Sequence, residues 1–208
     1  MKHDFKLEKK NPPTFPLNSM SHRKDLKPQG TQEGGGAKLL IGLATPGKEY
    51  ENTYHNAGFL FIDYLTKNLP VSNFSAKGGS ASGGQFLISE LLKSDVYMNE
   101  SGAFVKKVLK RRNAKPEELL IVHDDSDLTL GSWKFDFDRG SAGHNGVTSV
   151  INALGTKKFF RLRIGIRPKT SERTPRKKAG EFVLKKIGSQ DKKILGRVFE
   201  EVCEKLVS

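Results

Sequence analysis

The sequence lacks features that several large classes of protein require. Its 208 residues include one cysteine, Cys203, so no disulfide can form within the chain and a reducing compartment is the expected setting. No apolar run approaches the roughly 20 residues of a membrane-spanning helix, and no signal-peptide pattern opens the chain. We therefore expect a cytoplasmic protein that does not associate with a membrane.

Two common reactive motifs are also incomplete. Residues 42–48 fit the phosphate-loop pattern G-x-x-x-x-G-K, but Glu49 follows where a hydroxyl would ligate magnesium, and Pro46 removes a backbone donor. No serine lies in a G-x-S-x-G turn, and Cys203 lies within the last predicted helix. These gaps argue against a nucleotide loop and a covalent intermediate, and they favour a base that activates water.

Acidic residues are fewer than basic ones in this chain. The chain has 36 lysines and arginines against 23 aspartates and glutamates, which gives a net charge of +13. This excess predicts a polyanionic partner such as a nucleic acid. The alternative is that the charge serves only solubility.

Residues 1–37 differ in composition from the rest of the chain. They contain four prolines and the glycine run 34–36, with many charges and no sustained apolar period. Such a segment cannot bury enough apolar surface to offset its ordering entropy, so we predict a disordered basic tail. Because the tail is rich in lysine and also contains acidic residues, its composition argues against an organellar transit peptide. The folded domain is expected over residues 38–208.

Strand-like and helix-like segments alternate through this domain. Short or alternating apolar runs predict strands over residues 38–43, 85–92, 119–122, 133–137 and 160–166. Helical spacing of apolar residues predicts helices over 54–67, 102–112, 145–154 and 189–206, and the Ser/Gly-rich stretch 71–84 is predicted to be a loop. The interleaving predicts an α/β fold, a single three-layer domain whose mixed, mostly parallel sheet is flanked by helices.

A histidine and an aspartate lie where such folds place reactive groups. His55 stands between the first strand and the first helix, and Asp124 follows the buried run 119–122. If the two strands are neighbours, the carboxylate can bond to one imidazole nitrogen, fix the tautomer and raise the basicity of the other nitrogen. Two alternatives remain open for residues 123–127, namely a metal site and a solvated acidic turn.

Two asparagines lie near predicted helix starts. Asn99 precedes the helix over 102–112, and Asn145 follows a glycine-rich turn at the start of the next one. Each can cap its helix, or it can present an amide donor to an oxyanion or a peptide carbonyl.

Basic residues recur on two predicted strands. Arg161, Arg163 and Arg167, together with Lys134, can form a surface that binds phosphate. The alternative is solvated charge on an edge strand.

Several of these stretches together resemble the bacterial-type peptidyl-tRNA hydrolase family. Their order and spacing match over nearly the whole region from Lys38 to the C-terminus. In chain order the matching fragments are 42–47 with Tyr50, His55-Asn56-Ala57-Gly58, Met98-Asn99 with Ser101-Gly102, His123-Asp124 with Asp127-Leu128, Gly143-His144-Asn145-Gly146, and Arg161-Leu162-Arg163-Ile164-Gly165-Ile166.

The resemblance implies a monomeric enzyme, without metal or cofactor, that cleaves the ester joining a peptide to the 3′ ribose of tRNA and so recycles tRNA from stalled translation. It implies that His55 is the general base on water and that Asp124 orients it. Lys134 and Arg163 become candidate contacts for the tRNA 5′ phosphate, and residues 143–154 would cover the substrate channel. The positions that would bind or line the peptide–ester end are Thr45, Tyr50, Asn56, Tyr97, Met98, Asn99 and Asn145.

Three departures from the family pattern qualify this expectation. Thr45 replaces a usual asparagine, which puts substrate discrimination or rate in question. Asp136 lies where a phosphate-binding lysine is often found, so Lys134 or Arg139 would have to replace it. The glycine-rich loop before His144 is altered at Asp138, Arg139 and Ser141.

Two other functions stay open. One is a protein that binds RNA on the same scaffold without hydrolysis, for which an organellar intron-splicing factor sets the precedent. The other is a metal-dependent hydrolase that uses residues 123–127. Retention of both His55 and Asp124 argues against the first, because binding alone does not require an oriented base.

Overall fold

A computed structural model describes residues 37–68, 78–79, 85–86, 88–168 and 178–207. The tail predicted to be disordered, except for Ala37, and most of the predicted loop 71–84 lie outside the described residues. The strands are β1 (Leu39–Gly42), β2 (Gly78–Gly79), β3 (Gln85–Phe86), β4 (Glu90–Lys93), β5 (Leu119–Thr129), β6 (Trp133–Phe137) and β7 (Phe160–Arg167). The helices are α1 (Ala57–Asn68), α2 (Ser101–Arg112), α3 (Asn145–Leu154) and α4 (Ser189–Val207). Among these helices, none combines the length and apolarity that crossing a membrane would require.

The five-stranded sheet is mixed and mostly parallel, as predicted. Its strand order is β4-β1-β5-β7-β6, and only the β6–β7 pair is antiparallel. The segment predicted as one or two strands over 85–92 forms two, of which β4 joins this sheet and β3 pairs with β2 separately.

Both faces of the sheet are covered, which produces the three layers. Leu40 and Leu120 pack in one core with residues of α1 and α4, whereas Ile41 and Ile121 pack in a second core with residues of α2 and α3. Successive residues of a strand point to opposite faces, so a strand covered on both faces must be apolar throughout. This explains the continuous apolar runs in β1 and at the start of β5.

The strand predicted over 119–122 is too short. β5 continues to Thr129, because β7 pairs with it beyond the point where β1 ends at the Gly42–Val122 pair. Asp124 and Asp125 therefore lie within a strand and are 2% and 6% exposed. The alternative of a solvated acidic turn is wrong at these two residues.

The alternative of solvated charge on an edge strand is also wrong for β7. This strand lies between β5 and β6, and its Arg161 and Arg163 side chains are almost completely buried. β6 forms the edge, and its half-exposed character was correctly predicted.

A glycine brings α1 into contact with β5 and with the residue that follows β1. A Cβ atom at Gly58 would lie 2.5 Å from the carbonyl oxygen of Val122 and 2.6 Å from that of Leu43. Only a residue without a side chain allows this approach. The turn Tyr54–Asn56, which precedes α1, is thereby held beside β5, near the point where β1 ends.

Candidate active site

The structure brings the predicted histidine and aspartate together. His55 Nδ1 lies 2.8 Å from Asp124 Oδ1, although 69 residues separate them in sequence. The contact exists because β1 and β5 are parallel neighbours and β5 extends past the end of β1. The nitrogen facing the carboxylate carries the imidazole proton, so His55 Nε2 keeps its lone pair.

His144 is a second donor to the same oxygen, a role of its side chain that was not predicted from the sequence. Its Nε2 lies 3.0 Å from Asp124 Oδ1, and its ring centroid lies 5.1 Å from that of His55. Its Nδ1 accepts the backbone N–H of Val147 at 3.2 Å, which caps α3. This cap requires a lone pair on Nδ1 and therefore a proton on Nε2. Because His144 immediately precedes the helix predicted over 145–154, its place in the sequence could have indicated that it caps that helix.

The pKa values of Asp124 and His55 are both shifted by their contacts in this group. Burial alone would raise the pKa of Asp124, but attraction and hydrogen bonds from His144 and His55 hold that pKa well below its usual range. Burial lowers the pKa of His55, but the charge and the hydrogen bond of Asp124 outweigh it and leave the pKa above its usual value. His55 is thus a strengthened base beside a permanently ionised carboxylate.

His55, Asp124 and His144 also have the composition of a metal site. Among the described residues they form a group whose possible ligand atoms all lie within 4.8 Å of one another. A metal would need the lone pair of His144 Nε2, yet the cap from Val147 places the proton there. The chemistry of the donors therefore does not fit a resident metal.

The alternative of a metal site within residues 123–127 does not fit either. Asp125 is engaged by the guanidinium of Arg163, whose Nε lies 2.7 Å from Asp125 Oδ2. His123 is completely buried and its Nδ1 lies 2.7 Å from the backbone oxygen of Asp124. Burial first, and the neighbouring His144 second, hold the pKa of His123 well below its usual value.

The two predicted carboxamides border this group. Asn145 directly follows His144, and Asn99 belongs to the turn Met98–Glu100 that packs on the start of α3. The packing is close, because a Cβ at Gly146 would lie 2.4 Å from the sulfur of Met98. Both asparagines are exposed, and neither side chain makes a hydrogen bond with another described residue.

Tyrosines lie on two of the turns beside the site. Tyr97, next to Met98, is 55% exposed and so is available to a substrate. Tyr50 is half-buried in the turn that joins β1 to α1, where its backbone carbonyl accepts the hydroxyl of Thr53.

Asn56 was expected to bind substrate, but its amide bonds to the backbone of Thr45. Its Oδ1 accepts the N–H of Thr45 and its Nδ2 donates to the carbonyl of Thr45, each at 2.9 Å. The amide is buried and both ends are engaged, so it holds the Thr45 turn instead of contacting a ligand. Thr45 is 7% exposed, which leaves it little surface for a substrate.

The predicted phosphate contacts have different surroundings. Lys134 is exposed on β6, opposite Arg163 in the adjacent strand. The guanidinium of Arg163 is instead held between Asp125 and Asp136, at 2.6 and 2.7 Å. Because Arg163 is buried and paired with two carboxylates, the expectation that it contacts a phosphate does not fit its position. Asp136, which lies where the family often has a lysine, is one of these two partners.

Known proteins match this chain over almost all of its folded part. The family model for peptidyl-tRNA hydrolases matches residues 39–208. A peptidyl-tRNA hydrolase of Aquifex aeolicus is 39% identical over 176 residues, covering 82% of this chain and 88% of that protein. The peptidyl-tRNA hydrolase of Mycoplasma mycoides is 36% identical over 170 residues, covering 80% and 89%. A crystal structure of peptidyl-tRNA hydrolase from Acinetobacter baumannii aligns with a TM-score of 0.65 at 29% identity, covering 85% of this chain and 89% of that one.

Proposed function

Because the chain belongs to the peptidyl-tRNA hydrolase family, we propose that His55 and Asp124 perform the reaction of that family in this protein. The reaction is hydrolysis of the ester bond between a peptide and the 3′ ribose of tRNA. The single observation that carries the assignment is the 2.8 Å contact between His55 Nδ1 and Asp124 Oδ1 at the carboxyl edge of the sheet. A protein that only bound RNA would not need this contact, and nothing supports that alternative.

In the proposed mechanism, His55 Nε2 accepts a proton from a water molecule as the water oxygen attacks the ester carbonyl carbon. The carbonyl π electrons move onto oxygen and give a tetrahedral oxyanion. When this intermediate collapses, the bond to the 3′ oxygen of the ribose breaks, and His55 returns the proton to that leaving oxygen. Asp124 stabilises the imidazolium that exists between the two transfers.

Asn99 and Asn145 are the proposed donors to the substrate carbonyls and to the oxyanion. Asn145 directly follows His144, and Asn99 belongs to the turn that packs on α3. Both residues are exposed, and no other described residue engages their amides. A prearranged donor that meets charge only in the transition state lowers the barrier without tightening substrate binding.

No metal ion takes part in this scheme, in keeping with the metal-independent chemistry of the family. A metal would activate water by lowering the pKa of that water, whereas here Asp124 raises the basicity of His55, which accepts the proton of the water. His144 acts as a positioning residue, because it holds Asp124 through the oxygen that also orients His55.

Peptidyl-tRNA is the substrate, and the net charge of +13 suits such a polyanion. We propose that Lys134 contacts a tRNA phosphate, because its ammonium group is exposed on the edge strand. We also propose that the protein acts as a monomer in the cytoplasm.

The test is release of an N-acylated peptide from tRNA by the wild type and by His55→Ala. The variant should lose at least about a thousandfold in turnover while it still binds tRNA, because it lacks only the base. Asp124→Asn should lose activity too, because a neutral amide cannot raise the pKa of His55 or stabilise the imidazolium as the carboxylate does. Equal turnover by the wild type and His55→Ala would refute the mechanism.

A further inference from the structure

One hydroxyl joins the two segments that present the proposed carboxamides. Ser149 Oγ, on the second turn of α3, donates to the carbonyl oxygen of Asn99 at 2.7 Å. The same Oγ accepts the backbone N–H of Gly102 at 2.9 Å. Ser149 thus bonds to residues on both sides of the point where the Met98–Glu100 turn becomes α2.

These bonds replace a cap that α2 does not have. Glu100 occupies its N-cap position, and its side chain makes no capping hydrogen bond. The first N–H groups of a helix have no partner within the helix. Ser149 supplies one partner from a different helix, so the start of α2 is fixed relative to α3 and not only by its own sequence.

The backbones of α2 and α3 are in direct contact at this point. A Cβ at Gly102 would lie 2.1 Å from the carbonyl oxygen of Ser149, and a Cβ at Gly146 would meet the sulfur of Met98. Glycine at 102 allows the backbone of α2 to touch that of α3, and glycine at 146 leaves room for the Met98 side chain against α3. The hydrogen bonds of the Ser149 hydroxyl are directional, whereas apolar packing is not. They therefore fix the position of the two segments relative to each other more precisely than packing alone.

We infer that Ser149 is a positioning residue for the reaction: by holding the backbone of Asn99 against α3, it sets the Asn99 carboxamide relative to Asn145 and the His55–Asp124 pair. This inference rests on the proposed role of Asn99. A displacement of about 1 Å in a group that must meet a transition state costs up to about a hundredfold in rate. Loss of one of several contacts that hold Asn99 should cost less.

The test is a double-mutant cycle on peptide release from tRNA, with Ser149→Ala, Asn99→Ala and the double variant. Ser149→Ala should lower kcat about tenfold and leave KM nearly unchanged, because the carboxamide stays present but is misplaced for the transition state. In the Asn99→Ala background the same substitution should change kcat by less than about twofold, since the group it positions is gone.

Val150→Ala is the matched control for lost stability in α3. Its side chain is completely buried in the core next to Ser149, and it contacts neither carboxamide through a hydrogen bond. Measured well below its unfolding temperature, it should keep kcat within about twofold of the wild type. A tenfold loss in this control as well would show that Ser149→Ala acts through stability, and would overturn the inference.

The outcomes separate this inference from the proposed function. If Asn99→Ala is slow and Ser149→Ala costs the same factor in both backgrounds, only the positioning role fails. If Asn99→Ala is as active as the wild type, the role assigned to Asn99 fails and the role of Ser149 fails with it. Wild-type kcat in Ser149→Ala overturns the inference directly.

Discussion

His144 Nε2 lies 3.0 Å from Asp124 Oδ1, the same oxygen that His55 Nδ1 meets at 2.8 Å. Two imidazole protons therefore compete for one carboxylate oxygen. Each donor withdraws part of the negative charge from the other, so His144 limits how far Asp124 raises the basicity of His55.

The first prediction follows from this competition. His144→Asn keeps a side chain able to cap α3 but cannot reach Asp124 as the imidazole does. The pKa of His55, already raised by Asp124, should rise further, so the acidic limb of the pH profile of kcat/KM should move to higher pH. His144→Ala should shift that limb equally and also lose about 1 kcal/mol of stability with the cap. An unshifted limb in both variants would mean that His144 does not share the carboxylate.

The second prediction concerns the stability of the fold against acid. His123 has a folded pKa well below its usual value, so below about pH 6.5 the unfolded state binds a proton that the folded state does not. The free energy of unfolding should fall as pH drops, by up to about 1.4 kcal/mol per pH unit for this one group. His123→Gln should remove that slope, as measured by urea unfolding at pH 5 and pH 7.

His55→Gln provides the opposite control. The folded pKa of His55 is raised, so its stabilisation is complete below the unfolded pKa and is lost as pH rises through the folded pKa. Removing His55 should flatten the curve of unfolding free energy against pH on its neutral-to-alkaline side and leave its acid side unchanged. If both variants changed the same side, the assigned directions of the two pKa shifts would be wrong.

The third prediction tests the buried amide of Asn56. Asn56→Ala leaves the N–H and the carbonyl of Thr45 without their partners, at a cost of about 2 kcal/mol in unfolding free energy. Asn56→Asp retains the acceptor but sets a carboxylate oxygen against the Thr45 carbonyl, so it should cost at least as much. Asn68→Ala is the control, because its amide donates to Tyr64 on an exposed part of α1. A direct substrate contact would instead raise KM and leave stability unchanged.

The fourth prediction separates the two basic residues once grouped as phosphate contacts. Lys134→Ala should weaken tRNA binding most at low salt and reduce the slope of log affinity against log salt by about 0.7 to 0.9. Lys110→Ala, an exposed lysine near the end of α2, should change that slope less. An unchanged slope in Lys134→Ala would rule out the proposed phosphate contact.

Arg163→Ala should act on the fold instead. It leaves Asp125 and Asp136 without the cation between them, which should lower the free energy of unfolding by about 3 kcal/mol. Thermal and urea unfolding measure this loss. A fully stable Arg163→Ala with weakened tRNA binding would restore the original expectation for this residue.

Sequence patterns predicted the fold class and placed His55 and Asp124 beside strands because both depend on local signals. That the two side chains meet depended on β1 and β5 being neighbours, which the family resemblance implied and the structure shows. Apolar runs mark strands, and carboxyl ends of parallel strands share one edge. The extent of β5 was not predictable in this way, because its polar half is held by pairing with β7 and not by apolar residues of its own.

Burial of charge was also beyond local reasoning. Arg163 resembles a solvated residue in an alternating strand, and its partner Asp125 lies 38 residues away. The same limit applies to Asn56, whose amide looks free in the sequence but is occupied by Thr45. In both cases the deciding contact appears only when distant segments are assembled.

The strand order has a further consequence for how loss of function should be interpreted. The reacting imidazole and its carboxylate come from segments held together by the pairing of β1 with β5 and by the close contact of Gly58 with Val122. We therefore expect a partial opening between β1 and β5 to abolish turnover while the helices stay intact. Circular dichroism would report such a molecule as native. Residual activity during mild denaturation is therefore a more sensitive measure than circular dichroism of whether β1 and β5 are still paired.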